Sequence, residues 1–385
     1  MDYRQRRHDA LPIPNHDECA RQDFVASLRH YSGRTIGAAN YKLYKSRIEP
    51  AYIAAHGHAP RTAEEVRPLM TAEPYYQFWS ATQRTSQEMM WDSVIDTVER
   101  THASRADAPL PAKPLGSLRL DAALDVPRYN TAYDIHLQPG GYHTEQTPDD
   151  TSAGAVYDLG VPLYGLGMMG QENNSTGDTL VHCYRTLYPE AQPARILDLG
   201  CTIGNSTVPW AKAYPQAEVH GVDVAAPCLR YGHRRAEAMG VGIHLSQQNA
   251  ENLDFADGSF DLVVSALMFH ETSVAAVKRI FAECLRVLKP GGVAIHFDGF
   301  ESMPHEPVIQ FLGLWEVYNN NEHFLASLKK MDVVALNREV GFSSASFVDS
   351  PYVTDLPPRA PRGEPGAKGY LASGFGNVQL LVTVK

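Results

Sequence analysis

Arg195-Ile196-Leu197-Asp198-Leu199-Gly200-Cys201-Thr202-Ile203-Gly204-Asn205-Ser206-Thr207 is the stretch whose reading decides the fold. Apolar residues run up to and around an acid, and a glycine turn and a helix-compatible segment from Thr207 to Tyr214 follow. That order predicts a buried parallel strand, a tight turn and a helix start. Glycines at such a turn let a ligand lie against bare backbone, and a helix start presents unpaired N–H groups. A second apolar strand, Ala217 to Val222, ends in Asp223, about 25 residues after Asp198, where nucleotide-binding βαβ units place a ribose-binding acid. The spacing is not the dinucleotide fingerprint. That pattern needs glycines at the first, third and sixth positions, which here are Gly200, Thr202 and Asn205.

The stretch resembles motif I of the class I S-adenosylmethionine-dependent methyltransferases, Asp-x-Gly-x-Gly-x-Gly. Asp198, Gly200 and Gly204 match it, and Thr202 stands where the middle glycine usually is. The family's other segments follow in order. Gly221-Val222-Asp223 resembles the acidic strand end that holds the ribose hydroxyls, and Asn249-Ala250-Glu251-Asn252-Leu253 the segment beside the adenine. Asp257 to Ser265 resembles the strand-four motif, and Arg286-Val287-Leu288-Lys289-Pro290-Gly291-Gly292 the turn before strand five. The nearest resemblance is to the small-molecule branch, the ubiquinone and menaquinone methyltransferase type. It implies S-adenosylmethionine as cofactor, leaving as S-adenosylhomocysteine. It also implies a binding set of Asp198, Gly200, Cys201, Thr202, Gly204, Asp223, Val224, Asn249, Ala250, Glu251 and Ser265.

Composition bounds the rest. A chain of 385 residues is longer than one minimal domain of this kind and can bury a substantial core. With 44% apolar and 20% charged residues it reads as an ordinary globular protein. The formal net charge of −10 leaves no basic footprint, which argues against a nucleic acid partner, and the small-molecule substrate is what the family resemblance implies. The five cysteines are scattered, without a CxxC pair or metal spacing, as expected of reduced thiols in the cytoplasm. The opening Met1-Asp2-Tyr3-Arg4-Gln5-Arg6-Arg7-His8 lacks the apolar core of a signal peptide, and no run approaches a membrane span, so no membrane partner is expected.

Three regions are expected along the chain. Residues 1–107 read as a mainly helical domain that caps the pocket or forms a homodimer. Its first 20 residues are polar and expected to be loose. Thr62-Ala63-Glu64-Glu65 is a capping box, and the strongest helix runs from about Glu73 to Val98, with Tyr75, Tyr76, Phe78, Trp79, Met89, Met90, Val94 and Val98 on one broad face. That face is core or interface, or part of it lines an apolar substrate pocket. Residues 108–150 open on a proline-rich linker and continue as a flap with short strands at Leu118–Leu120 and Ala132–Leu137. Residues 151–385 read as the cofactor-binding domain, a Rossmann-like α/β unit with a seven-stranded, mostly parallel sheet covered by helices on both faces. Strands are expected at 195–199, 218–222, 242–246, 261–266, 293–298, 344–349 and 378–384, the last two as an antiparallel hairpin. Helices are expected at 205–214, 226–239, 274–288, 306–320 and 326–340. The connection Pro351 to Gly376 is long enough to be functional or disordered.

Ligands of open α/β sheets lie off the carboxyl ends of the strands at the topological switch point, so the end of the fourth strand is the place for chemistry. His270 there is the first candidate base, with Glu271 beside it to orient or charge it. The alternative is that both only start the next helix. Tyr142 and His143 follow the Gly140-Gly141 turn as a flap across the pocket. His296 and Asp298 share one face of the fifth strand, as site residues or as buried polar groups, with Glu301 and His305 beyond. Phe311, Trp315, Tyr318 and His323 lie on the segment that often shapes the pocket in this fold, or are plain packing residues. His136, Tyr142, His143, His270, Asp298 and His305 have metal-ligand chemistry but no local ligand spacing, so no metal is expected. Two rival functions remain: a methyltransferase-like partner subunit that does not transfer methyl, favoured by Thr202, and an enzyme that uses the bound sulfonium for elimination or cyclisation.

Overall fold

The computed structural model describes residues 6–106, 110–300, 306–355 and 376–385. Among these, one mixed sheet contains β1 (Ser117–Arg119), β2 (Arg195–Leu199), β3 (Glu218–Asp223), β4 (His244–Gln247), β5 (Phe260–Ala266), β6 (Leu288–Phe297), β7 (Ser344–Pro351) and β8 (Asn377–Val384). The spatial order is β1-β4-β3-β2-β5-β6-β8-β7. Pairing is parallel from β1 to β6 and antiparallel for β6–β8 and β8–β7. The expected α/β architecture and terminal hairpin are therefore present. In β2, Ile196, Leu197 and Leu199 are wholly buried, as a parallel strand covered on both faces requires.

The sheet has eight strands where seven were expected. The extra one is β1, only three residues long, which registers Ser117–Arg119 on His244–Ser246 of β4. Gly116 permits this approach, because a Cβ there would lie 2.0 Å from the Ile243 carbonyl oxygen. The other short strand expected in this region, at 132–137, does not form. Ile135–Leu137 is a 3₁₀ turn, with His136 and Leu137 both at positive φ, 54° and 59°. Residues expected to be loose near the start instead enter the helix His16–Tyr31, which Asn15 and Glu18 open with a reciprocal capping box. The helices expected at 306–320 and 326–340 each split in two, into Pro307–Gly313 with Trp315–Asn319 and Leu325–Leu328 with Val333–Val340. In the second pair, Asp332 caps the restart by accepting the Ala335 N–H. Glu301, His305 and most of the connection after Pro351 lie outside the described residues.

The N-terminal helices are built onto the sheet domain. The helix Pro74–Ala106 packs between His16–Tyr31 and Ser152–Tyr164, and the last of these packs on Ala226–Ala238. Glycines let these helices approach closely: a Cβ at Gly160 would lie 2.4 Å from the Trp91 ring, and one at Gly154 2.5 Å from Tyr231. Tyr76 and Trp79 share an aromatic cluster with Phe311 and Trp315, so the segment after β6 and the N-terminal helices have a common core. Met90, Val94 and Val98 are buried, whereas Phe78 is exposed.

Candidate active site

The carboxyl ends of β3, β2 and β5 lie side by side, and the chain reverses direction across the sheet between β2 and β5. The turn after β2 takes three positive φ values, at Gly200 (67°), Thr202 (48°) and Gly204 (76°). Glycine adopts these freely; a β-branched residue is strained there. Asp223, at the end of β3, accepts the N–H groups of Thr202 and Ala225, each at 2.9 Å, one on each carboxylate oxygen. Lone pairs on both oxygens remain for two further donors, which suits a vicinal diol. Burial raises the Asp223 pKa to about 6. Asp198 is wholly buried; its Oδ2 accepts the hydroxyls of Ser206 and Thr207, both at 2.7 Å, and burial raises its pKa to about 7. It ties the strand to the following helix. Gly200 leaves a cradle that a side chain would fill, since a Cβ there would lie 2.6 Å from Met268 Cγ.

The other residues expected around the cofactor divide by orientation. Val224 holds Gln247 through its carbonyl at 3.0 Å, and Asn249 turns the backbone by accepting the Glu251 N–H at 2.9 Å. Glu251 accepts the Tyr129 hydroxyl at 2.8 Å, and Ala250 is buried. Cys201 points its thiol at Gly221, within the core. Ser265 is wholly buried, with its hydroxyl 2.8 Å from His296 Nδ1. For Cys201 and Ser265, only backbone atoms are left to face a ligand. His296 itself packs edge-on against Phe269 and Phe281, and burial lowers its pKa to about 3, so it is a neutral core histidine.

Two residues beyond Gly200's neighbour Met268, a second polar centre begins at His270. His270 Nδ1 lies 2.8 Å from Asp298 Oδ1, while Asp298 Oδ2 accepts the Phe269 N–H at 2.6 Å. Glu271 Oε1 lies 3.1 Å from His136 Nε2, 3.8 Å from His270 Nε2 and 3.3 Å from the Tyr142 hydroxyl. His136 Nδ1 is 3.1 Å from Glu322 Oε1 and from the Asn320 amide, and that amide donates to Glu322 at 2.7 Å. The left-handed turn at His136 is pinned from the long N-terminal helix: its carbonyl accepts Gln87 Nε2 at 2.6 Å and Trp91 Nε1 at 2.8 Å. Tyr129, Tyr133, His323 and Phe324 line a narrow crevice together with His270 and Glu271.

Neighbouring carboxylates set the charge state of this centre. Burial opposes a charge on His270, but the Asp298 carboxylate outweighs it and raises the pKa to about 9. Burial likewise opposes a charge on His136, and Glu322 and Glu271 raise its pKa to about 10. At neutral pH both rings therefore favour the imidazolium form, protonated on both nitrogens. Of the flap pair, Tyr142 reaches Glu271, and His143 turns its ring toward Gly141. Phe311 and Trp315 are core, Tyr318 is exposed under Arg67, and His323 lies at the crevice. Sequence reading did not find Glu322, Asn320 or Gln87. The polar run Asn319-Asn320-Asn321-Glu322 between aromatic residues was the available signal.

Residues 196–292 match a family model described as a methyltransferase domain. Over 103 residues the chain is 39% identical to a demethylmenaquinone methyltransferase of Thermus thermophilus, covering 27% of this chain and 46% of that protein. Over 198 residues it is 29% identical to a malonyl-[acyl-carrier protein] O-methyltransferase of Methylococcus capsulatus, covering 51% of this chain and 68% of that one. The solved phosphoethanolamine N-methyltransferase 2 of Haemonchus contortus, in complex with S-adenosyl-L-methionine, aligns over 54% of this chain and 52% of its own at 18% identity, with a TM-score of 0.39. The chain thus spans less than half the length of the Thermus relative. Residues 196–292 are thus the part of the chain that resembles a methyltransferase domain.

Proposed function

We propose that the chain is a methyltransferase that uses S-adenosylmethionine to methylate a small-molecule acceptor. The observation that carries this reading is the meeting, at the sheet's switch point, of the glycine turn 200–204 with the doubly anchored Asp223, inside the segment that matches the family. Asp223 would bind the ribose hydroxyls, the turn would leave room for the chain beside them, and residues 249–251 would flank the base. When bound, the cofactor supplies an electrophilic methyl group on a sulfonium. The protein's task is then to hold an acceptor in line with it. The crevice over His270 and Glu271 serves this purpose, with charged imidazoles to position an oxygen-bearing or anionic acceptor. A quinol or carboxylate-type acceptor agrees with the names of the two relatives.

The helices of residues 1–107 act as the cap, because Gln87 and Trp91 fix the turn that carries His136. The −10 charge supports a small molecule over a nucleic acid. Among the described residues no helix is long and apolar enough to cross a membrane. The test is incubation of the full chain with methyl-labelled S-adenosylmethionine and a panel of phenols, quinols, carboxylates and amines. Release of S-adenosylhomocysteine in step with one labelled product is expected. Cofactor consumption without methylated product would overturn the reading.

A further inference from the structure

The second polar centre has the form of a metal site. The donor atoms of His136, His270 and Glu271 all lie within 4.8 Å of one another. Two of the three separations are already 3.1 Å and 3.8 Å, both measured from Glu271 Oε1 to an imidazole Nε2. Donors bound at about 2.0–2.2 Å from a common cation stand roughly 3–3.6 Å apart, so small side-chain shifts close the set. Each ring's other nitrogen is taken by a separate carboxylate, His270 Nδ1 by Asp298 and His136 Nδ1 by Glu322. Those outer carboxylates fix the tautomer and turn both Nε2 atoms toward Glu271, the arrangement that orients and strengthens imidazole ligands. A buried ion-pair cluster needs one carboxylate per imidazole. Here two imidazoles meet three carboxylates, and the one shared between the rings is the inward-facing Glu271.

The placement of His136 adds a separate observation. Its backbone is held at φ 54° and ψ 20°, a conformation that costs a non-glycine residue energy, by hydrogen bonds from Gln87 and Trp91 to its carbonyl. The strain fixes that imidazole opposite His270, with ring centroids 6.0 Å apart.

We propose that His136, His270 and Glu271 bind a divalent first-row transition cation, with its open positions facing the crevice rimmed by Tyr129, Tyr133 and Phe324. Two imidazoles and one carboxylate suit zinc, iron, cobalt or manganese rather than magnesium or calcium. Binding displaces the ring protons from both Nε2 atoms. In the methyl-transfer reading, on which this last step rests, the cation holds an acceptor's oxygen as a Lewis acid.

The experiment is titration of the chelator-treated full chain with Co²⁺, followed by its visible absorption, and then competition with Zn²⁺. One Co²⁺ per chain, displaced by Zn²⁺, is expected. Asp298→Asn should weaken binding by about 10–100-fold, the usual effect of losing an outer partner. His136→Ala and Glu271→Gln should weaken it further. S-adenosylhomocysteine affinity, measured on the same samples, should stay intact and show that the variants are folded. Absence of cobalt binding at millimolar metal, or binding unchanged in His136→Ala and Glu271→Gln, would overturn the site. Neither result would touch the cofactor reading, whose own test is nucleoside binding.

Discussion

The turn after β2 and the cluster around Glu271 lie close enough that the Glu271 charge is felt at Asp223, yet they are built by different means. At the turn, backbone does the work: three positive φ values and two N–H groups on one carboxylate, all within one strand–turn–helix–strand unit. At the cluster, side chains from four separated segments meet, at 136, 270–271, 298 and 320–322. A ligand site made of backbone follows from the fold. A site made of side chains needs a scaffold to aim them, and here that scaffold is the N-terminal helix carrying Gln87 and Trp91. The first region rests on local backbone geometry, and the second on side chains that distant segments bring together.

If that division is right, damage to one region should spare the other. The largest effect is expected from Asp223→Ala. Losing hydrogen bonds to a charged group costs about 1.5–3 kcal/mol, or roughly 10–150-fold in affinity for S-adenosylhomocysteine by calorimetry. Cobalt binding at the cluster should be unchanged. Gly160→Ala should do the reverse. Its Cβ would lie 2.4 Å from Trp91, so overpacking should cost about 1–3 kcal/mol in denaturant unfolding and disturb the turn at His136. Nucleoside affinity should hold.

The acid–base behaviour separates the regions further. A buried acid whose folded pKa is raised binds protons more tightly when folded, so its contribution is full below its unfolded pKa and is lost as pH rises through the folded value. For Asp198 that window runs from 3.8 to about 7. His270 and His136, raised to about 9 and about 10, contribute below their ordinary 6.5 and lose it as pH rises through those values. Asp198→Asn should therefore flatten the stability profile between pH 4 and 7, about the Asp198 window, and leave the alkaline limb in place. The smallest effect belongs to Thr202→Gly. Relief of about 1–2 kcal/mol of left-handed strain is offset by roughly 0.5–1 kcal/mol of added chain entropy, so a net gain of about 0–1.5 kcal/mol is expected by thermal melting. A loss of stability would show that the Thr202 side chain is held by more than the turn.

The contrast also explains how much could be read in the sequence. Asp198, Gly200, Gly204 and Asp223 are informative because local geometry demands them, and the alternation of strand and helix around them gives the parallel sheet. The side-chain direction of Ser265 and Cys201 was not legible, since period alone does not say which face a ligand takes. His270 was found from its place after β5, but its charge depends on Asp298, 28 residues away, and its neighbour His136 lies 134 residues upstream. No local spacing encodes such a meeting. β1 was legible as a strand but not as part of the sheet, because only pairing with β4 makes it so.

The most direct test of the central claim is a crystal structure of the chain with S-adenosylhomocysteine. Both ribose hydroxyls are expected on the Asp223 carboxylate, with the sulfur directed from the glycine turn toward the crevice lined by His270 and Glu271. A nucleoside bound elsewhere, or a sulfur facing away from that crevice, would contradict it.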